Sequence, residues 1–329
     1  MEVMKKIAVI IPNYNGFSYS ERCFKALESQ TFKDFEVCVV DDCSTDDSFS
    51  RLQEYAAMSP LCIKIIRSDT NMGPGHSRKI GIESTDSEWI AFCDIDDWFD
   101  DDFLETQLRN AEKNESDLVM CDHKYAYGNG TTVKSGATDW CRLLPTSTET
   151  VLAYAKMSLC RLLVKRDLFK GVTIPEIYYG EDAPVTIQLI ANSKKTYVDY
   201  EAHYNYLIRK GSASAKINPR APGDYIKAYN VIHKAIAKAY PEECSFIGTN
   251  MVLYGTTLIM LKLGNRSTEV KKVISEYEKD FPDWASNKYM KLLDRKKKAY
   301  LWAVRHSLIS VCRAYANMHA YLISKQAKG

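Results

Sequence analysis

The sequence predicts an α/β protein with a Rossmann-like, mostly parallel central sheet flanked by helices, followed by a C-terminal helical extension. Short apolar runs alternate with helical periodicity in the first part of the chain, acidic clusters stand where apolar runs end, and the pattern is helical from Pro222 onward. We therefore expect a first domain over residues 1–220 and a helical region over residues 221–329.

Apolar runs separated by helical segments define the first strands. The runs are residues 7–11, 35–40 and 62–66, and helical spacing occurs over residues 21–30 and after Ser44. Such alternation forms parallel sheets with right-handed crossovers. Because ligands bind beyond the carboxyl ends of parallel strands, we expect the polar residues after each run to meet at one edge.

Three aspartates follow a fourth apolar run, residues 89–93. Asp94, Asp96 and Asp97 are close enough in sequence to raise the cost of ionising one another, so the cluster suits a divalent cation held by oxygen ligands. The alternative is a solvated turn whose acids complement the dipole of the next helix. This stretch alone leaves both open, and Asp97 could cap that helix while its neighbours hold metal.

A glycine-rich loop over residues 71–78 leads from the third strand into a helix. Gly73 lets the backbone approach a ligand closely, and Arg78 near the start of a helix would receive a diphosphate. The loop is neither a Walker loop nor a GxGxxG motif.

Later segments add candidates with simpler alternative explanations. We expect a hairpin or loop over residues 127–136, a largely helical stretch over residues 149–168 and a helix over residues 183–191. Glu181 and Asp182 stand at the start of that last helix, where acids commonly complement the dipole.

Residues 203–214 combine basic, aromatic and hydroxyl side chains. Arg209, Lys210 and Ser212 could hold phosphate in a loop that closes over a diphosphate, or form an ordinary exposed turn. His203 could be a third metal ligand, but a lone histidine beside tyrosines more often packs.

Cysteine usage and hydropathy point to the cytoplasm. The ten cysteines are scattered, without a CxxC pair or zinc spacing, so we expect reduced core thiols. The first residues lack the apolar core of a signal peptide, and no window approaches the ~18 apolar residues of a spanning helix. We expect a cytoplasmic protein, either free or peripheral on the inner face of the cell membrane.

The last part of the chain is strongly basic. Residues 291–329 carry nine Lys and Arg against one acid, Asp294, a local net charge of +8 that leaves −6 for residues 1–290 out of a total of +2. Within residues 295–325, an apolar stripe at helical spacing could contact an anionic membrane, the body of the protein or a second subunit. Its members are Leu301, Val304, Leu308, Val311, Tyr315, Met318 and Leu322. Nucleic-acid binding would have only this basic tail and no stacking platform.

Several of these segments, taken together, resemble the inverting nucleotide-sugar glycosyltransferases of family 2, which have the GT-A fold. The matching pieces occur in family order over about residues 5–215: residues 8–15, 30–36, 40–46 and 71–78, the Asp94-Ile95-Asp96-Asp97-Trp98 motif, and Gly180-Glu181-Asp182. Cys43 and the Ser77-Arg78-Lys79 triplet depart from commoner family residues. The resemblance does not extend past residue 220.

The resemblance implies roles for individual residues. Asp94 and Asp96 would be the DxD pair that holds Mn²⁺ or Mg²⁺, Arg78 would contact the diphosphate, and Asp182, beside Glu181, would be the general base. The nucleotide of the donor would contact Pro12, Tyr14, Asp41, Asp42, Gly73, Arg78, Asp94 and Ile95.

The implied activity is transfer of a sugar from a nucleotide-diphosphate donor, which we expect to be a UDP-sugar, to a hydroxyl of a glycan or lipid-linked acceptor. Metal and arginine would stabilise the leaving phosphate and a carboxylate would deprotonate the acceptor, giving single displacement with inversion. The alternative is a non-catalytic nucleotide-sugar binding or scaffold protein of a glycan assembly complex. A dehalogenase-like phosphatase is disfavoured because Trp98 occupies the fifth position of the aspartate motif.

Overall fold

The computed structural model describes residues 4–154, 156–209, 220–262, 267–280, 284–285 and 287–326. The chain divides into two compact units, Met1–Arg209 and Lys210–Gly329. The sequence placed the corresponding boundary after residue 220.

A mixed sheet of nine strands forms the centre of the N-terminal unit. Its order is β3-β2-β1-β4-β8-β6-β9-β5, with β7 paired to β6. The strands from β3 to β4 are parallel, β8 runs antiparallel to both β4 and β6, β9 is parallel to β6, and β5 is antiparallel to β9. The strands are β1 (Ile7–Asn13), β2 (Phe35–Asp41), β3 (Ile63–Arg67), β4 (Trp89–Phe92), β5 (Trp98–Phe99), β6 (Leu118–Tyr127), β7 (Thr132–Lys134), β8 (Leu162–Lys165) and β9 (Thr196–Ile208).

Six α-helices of the N-terminal unit accompany this sheet. Ile7 to Ile11 of β1 are completely buried, as expected of a strand covered on both faces. Because β1, β2 and β4 are parallel, their carboxyl ends meet at one edge, as the sequence predicts. The helices are α1 (Glu21–Glu28), α2 (Ser48–Met58), α3 (Pro74–Glu83), α4 (Phe103–Lys113), α5 (Thr148–Tyr154) and α6 (Asp182–Asn192).

The prediction of a largely helical stretch over residues 149–168 is wrong in its second half. Helix α5 ends at Tyr154, and β8 then fills the space between β4 and β6. Leu162, Leu163 and Val164 are completely buried, and a strand buried on both faces has no alternation to distinguish it from a buried helix.

The first part of residues 203–214, where the sequence leaves a phosphate loop or an exposed turn open, is a strand. Residues up to Ile208 belong to β9, a strand of 13 residues. Its polar members are accommodated by side-chain hydrogen bonds, since Asn205 Nδ2 donates to Asp100 Oδ1 at 2.8 Å. Lys210 and Ser212 lie outside the described residues.

All ten cysteines lie in the described ranges and are free thiols there. Seven are buried, but Cys62 is exposed, so burial does not extend to every one.

The C-terminal unit is helical, in agreement with the sequence. Helix α8 packs against α7, α9, α10 and α11, and the Tyr300 hydroxyl lies 2.9 Å from Thr256 Oγ1. In the described ranges of the chain, we find no helix long and apolar enough to cross a membrane. The helices are α7 (Ala221–Ile236), α8 (Pro241–Lys262), α9 (Ser267–Asp280), α10 (Arg295–Arg305) and α11 (Ile309–Gln326).

The expected single stripe from Leu301 to Leu322 is wrong, because the helix breaks between α10 and α11. Ser307 adopts a left-handed conformation with φ of 55°, and the Leu308 N–H donates to the Ala303 carbonyl at 2.9 Å, which closes α10 with a Schellman turn. Leu301 and Val304 are buried, whereas Val311 and Met318 are exposed. The apolar residues therefore belong to different faces.

Candidate active site

Arg78 is the centre of a buried charge cluster at the carboxyl edge of the sheet. Its Nη1 lies 2.7 Å from Glu181 Oε1 and 2.9 Å from Asp182 Oδ1, and its Nη2 lies 2.9 Å from Asp94 Oδ1. Burial acts to lower the pKa of Arg78, but Asp182 and Asp94 outweigh it and hold that pKa well above the ordinary range. The cluster joins α3, α6 and the turn after β4 in one site.

Two glycines allow α3 to begin close to this cluster. Gly73 precedes the helix with φ of 92°, a conformation that side chains rarely adopt. A Cβ on Gly75 would lie 3.1 Å from the Pro175 carbonyl oxygen and 3.5 Å from Glu181 Cβ. The glycine-rich loop thus permits the approach of α3 to the segment that carries Glu181.

Asp41 and Asp42, at the end of β2, order the loops of the same edge. Asp41 is completely buried and accepts hydrogen bonds from Asn13 Nδ2 at 2.7 Å and Ser44 N at 3.0 Å. The Asp42 carboxylate accepts the N–H groups of Met72 and Gly73 at 3.1 and 2.7 Å, and burial raises its pKa. Asp42 therefore ties the β2 end to the glycine-rich loop.

The other nucleotide candidates surround this edge in different environments. Pro12 is half-buried in β1, and Tyr14 extends into solvent just beyond it. Ile95 is buried, and a Cβ on Gly16 would lie 2.7 Å from its Cγ2. Ile95 therefore packs the turn after β4 against the loop after β1.

Asp96 is paired with an arginine from the end of β9. Arg209 Nε and Nη2 each lie 2.7 Å from Asp96 Oδ2, and the guanidinium stacks over the Tyr19 ring at 3.9 Å. Burial, followed by the charge of Asp94, raises the pKa of Asp96, and Arg209 opposes that shift.

Asp97 is a structural residue of the same turn rather than a helix cap. It accepts hydrogen bonds from the Tyr204 hydroxyl at 2.5 Å and Leu207 N at 2.8 Å, while Asp102 occupies the N-cap position of α4. Burial and the charges of Asp94 and Asp96 raise the pKa of Asp97 well above its usual value. Through these two hydrogen bonds, Asp97 fastens β9 to the aspartate turn.

The pair Asp94 and Asp96 fits a divalent cation only in part. Their mutual repulsion favours a cation between or beside them, but within the described ranges no three His, Cys, Asp or Glu side chains are placed to hold one. A cation bound by one or two carboxylates commonly takes its other ligands from phosphates and water. His203 faces Asp102 and Asp199, at 3.4 and 3.8 Å, so the structure does not bring it to this pair.

Glu181 and Asp182 share one arginine nitrogen and are both hard to ionise. Burial, with the charge of Asp182, raises the pKa of Glu181 to about 7. Burial also raises the pKa of Asp182, while Arg78 acts to lower it. Two carboxyls in such contact hold fewer than two negative charges near neutral pH, which provides a site for proton transfer.

We predict that Glu181 makes the stability of the protein decrease as pH rises through about 7. The folded protein holds the Glu181 proton more tightly than the unfolded chain does, in which the pKa of this carboxyl is the ordinary 4.5. The stabilisation is therefore complete below pH 4.5 and is lost as pH rises through the folded pKa. Chemical denaturation across this range should show a flatter pH dependence for Glu181→Gln, with a difference in slope of at most about 1.4 kcal/mol per pH unit. Identical slopes would contradict the raised pKa.

The sequence indicates Arg209 as a candidate for the diphosphate, but it does not predict the contacts that support the aspartate turn. Tyr204 and Arg209 contact it from β9, more than 100 residues along the chain, and no local pattern marks such a pairing. The signal that existed was the polar and aromatic content of residues 203–209, which we interpreted as a loop.

Comparisons with known proteins agree with this geometry. Residues 8–159 match the family Glycosyl transferase family 2. The glycosyltransferase GlyA of Streptococcus pneumoniae is 27% identical over 226 residues, which cover 65% of this chain and 32% of GlyA. The poly(ribitol-phosphate) beta-N-acetylglucosaminyltransferase TarS of Staphylococcus aureus is 27% identical over 246 residues, covering 73% of this chain and 42% of TarS. The chain spans less than half the length of both relatives.

Solved structures show the same fold. The structure of TarS residues 1–349 has a TM-score of 0.72 at 21% identity and covers 96% of this chain and 91% of that one. The mannosyltransferase PcManGT of Pyrobaculum calidifontis, in complex with GDP-Man and Mn²⁺, has a TM-score of 0.58 at 16% identity, with coverage of 97% and 87%. Residues 8–159 therefore match glycosyl transferase family 2, and the chain has the GT-A fold.

Proposed function

We propose that the protein transfers a sugar from a nucleotide-diphosphate donor, a UDP-sugar, to a hydroxyl group of a glycan or lipid-linked acceptor in the synthesis of a cell-surface polysaccharide or glycoconjugate. The observation that carries this proposal is the Arg78 cluster, in which one buried cation contacts Asp94, Glu181 and Asp182. In this arrangement Arg78, which could bind phosphate, is hydrogen-bonded to Asp182, the candidate base.

The known ligands of similar proteins support a nucleotide-sugar donor. TarS has been solved with UDP and with UDP-GlcNAc, and PcManGT with GDP-Man and Mn²⁺. The identities are 16% to 23%, so these ligands come to this chain only as part of the proposal. We favour a uridine donor because the UDP-GlcNAc complex of TarS is the better structural match, with a TM-score of 0.68 against 0.58 for PcManGT.

In the proposed reaction, the residues of the sheet edge hold the donor. Pro12, Tyr14 and Asp42 border the nucleoside, while Asp41 orders the loop around them through its bonds to Asn13 and Ser44. Gly73 and Ile95 shape the floor beside the phosphates. Arg78, held fully protonated by its neighbours, stabilises the charge that develops on the leaving diphosphate.

Asp182 would remove the proton of the acceptor hydroxyl. It lies in the same cluster as Asp94, and its Oδ2 accepts a long 3.5 Å hydrogen bond from Leu159 N. A divalent cation on Asp94 and Asp96 would add Lewis-acid stabilisation of the diphosphate. One base and one activated leaving group give a single displacement, and the sugar carbon is inverted.

The C-terminal helical region completes the proposal on the acceptor side. Residues 221–329 would contact the acceptor, the membrane or a second subunit, and the first 220 residues would carry catalysis. Homo-oligomerisation remains one of these expectations.

A donor screen tests the proposal. Thermal unfolding and release of nucleoside diphosphate are measured for a panel of nucleotide sugars with and without Mn²⁺, beside Asp96→Asn as a matched variant. We expect one donor to raise the melting temperature in a metal-dependent manner and to be turned over, and Asp96→Asn to lose the metal-dependent part. If no nucleotide sugar stabilises the protein, the proposed function is wrong; stabilisation without turnover would support the scaffold alternative.

We predict that Arg209 competes with the divalent cation for Asp96. Once the cation is bound, we expect Arg209 to help bind the diphosphate of the donor. Its two donors occupy Asp96 Oδ2, so Arg209→Ala should bind Mn²⁺ about tenfold more tightly without donor, as loss of a paired charge predicts. With metal present, the same variant should bind nucleoside diphosphate more weakly. Calorimetric titrations measure both affinities.

A second arginine variant is the control for this prediction. Arg22→Ala removes a guanidinium that lies over the Trp98 ring at 5.1 Å, and it should leave Mn²⁺ affinity unchanged. Equal Mn²⁺ affinity in wild type and Arg209→Ala would show that the Asp96 pair does not limit cation binding.

A further inference from the structure

Helix α10 of the C-terminal unit has one exposed face that combines cations with a tryptophan. Arg295, Lys298, Trp302 and Arg305 are exposed and recur at three and four residues, which places them on one side of the helix. The opposite side, with Tyr300, Ala303 and Val304, is buried in the unit. Trp302 is 59% exposed and lies against the His306 ring at 4.5 Å, so an indole stands in solvent among positive charges.

Helix α11 also has an exposed face, and the residues of that face are uncharged. Val311, Ala314, Met318 and Tyr321 are exposed at the same spacing, with Val311 55% and Met318 46% accessible. Cys312 and Ala316 on the other side are completely buried, so the helix is held in the unit by that side. The exposed apolar side chains are therefore not needed for packing within the described part of the unit.

The two helices meet at an exposed turn. His306, Ser307 and Leu308 are all exposed, and Leu308 adds a further apolar side chain there. We call the set Arg295, Lys298, Trp302, Arg305, Leu308, Val311, Met318 and Tyr321 the basic–aromatic surface.

We propose that the basic–aromatic surface docks on an anionic lipid bilayer. Lysine and arginine are attracted to the charged headgroups, while tryptophan, tyrosine and apolar residues enter the interface. A hydrophilic polyanion would pair with the cations but leave Val311 and Met318 in water. If a second copy of the chain docked on this surface, the nine Lys and Arg side chains of residues 291–329 would approach the same nine in the other copy, with a single acid in each. The two copies would therefore repel each other.

This mode of binding places the helices along the membrane surface. The described helices include none that could span a bilayer, and an exposed cationic face beside apolar side chains is typical of interfacial helices. The inference stands on the C-terminal unit alone and does not depend on the proposed transfer reaction.

Vesicle flotation of the full-length protein tests the surface. The vesicles are phosphatidylcholine with or without phosphatidylglycerol, and the variants are Lys298→Glu/Arg305→Glu and Trp302→Ser. We expect binding only with phosphatidylglycerol, at least about tenfold weaker binding for the double variant, and a loss for Trp302→Ser that Trp302→Phe partly restores.

The matched control is Lys271→Glu/Lys272→Glu on α9. It makes the same change of charge at exposed positions of the same unit, on a helix that also exposes Glu276 and Glu278. We expect it to weaken binding by less than about threefold, since it changes only the net charge. Melting temperatures confirm that each variant is folded.

Three outcomes would overturn the inference. The first is equal weakening by the α9 and α10 double variants, which would mean that net charge alone drives binding. The second is no flotation of wild-type protein with anionic vesicles. The third is a wild-type oligomer, seen by sedimentation, that Trp302→Ser dissociates, which would make the surface a subunit interface.

Discussion

Asp182→Asn is expected to reduce the turnover rate by about a hundredfold to ten-thousandfold while donor binding stays nearly unchanged. The substitution removes the general base, a contribution of about 10²- to 10⁴-fold, whereas the amide oxygen can still accept the hydrogen bond from Arg78 Nη1. Steady-state kinetics with the donor identified by screening give kcat, and calorimetry gives the dissociation constant of the donor.

Glu181→Gln is the matched variant for this experiment. Glu181 accepts from the same Arg78 nitrogen at 2.7 Å, so both substitutions perturb the arginine in similar ways. We expect a much smaller loss of kcat for Glu181→Gln. If that variant carries the large loss and Asp182→Asn turns over normally, Glu181 rather than Asp182 is the base.

Arg78→Met is expected to have the largest effect on stability. It leaves Asp94, Glu181 and Asp182 facing one another without their shared cation. Breaking a buried ion pair costs about 3–5 kcal/mol, and the lower end applies because Asp94 is 34% exposed. Urea denaturation should show a loss of about 3 kcal/mol at neutral pH and a smaller loss in acid, where the carboxyls bind protons. Donor binding should be lost as well.

An exposed arginine supplies the comparison for that loss. Arg51 lies 4.0 Å from Asp47 on the surface of α2, with side chains 48% and 71% exposed. Arg51→Met should change the free energy of unfolding by less than about 1 kcal/mol. If Arg78→Met is no more destabilising than Arg51→Met, the three carboxylates do not depend on Arg78 for their charge balance.

The part of the fold that sequence reasoning predicted is the part with local signals. The runs that became β1, β2 and β4 end at polar residues, and parallel strands bring such ends together wherever the helices between them lie. For this reason Asp42, Arg78 and Asp94 could be expected at one edge from sequence. The direct hydrogen bond between Arg78 and Asp94 could not be expected from sequence.

The contacts that were missed depend on distant pairing. The strand β8 inserts between β4 and β6 in antiparallel orientation, and neither its neighbours nor its direction is encoded in Leu162 to Val164. In the same way, the bond between Tyr204 and Asp97 requires β9 to reach the aspartate turn. The C-terminal stripe failed for a local reason, because a serine rather than a glycine at position 307 takes the left-handed conformation that ends α10.

The environments of His203 and Asp41 help to decide between roles that residue type leaves open. For His203 the sequence favours packing over metal binding, and its ring lies between Asp102 and Asp199. Asp41 suggested a ligand contact, but its carboxylate is turned inward to Asn13 and Ser44. Its role in the proposed site is therefore to position neighbouring loops.

The stereochemistry of the transferred sugar tests the central claim most directly. Proton NMR of the first product formed from an α-linked nucleotide sugar, with either acceptor or water, reports the configuration at the anomeric carbon. Single displacement with Asp182 as base predicts a β product that forms first, before any mutarotation. An α product formed first would contradict the mechanism.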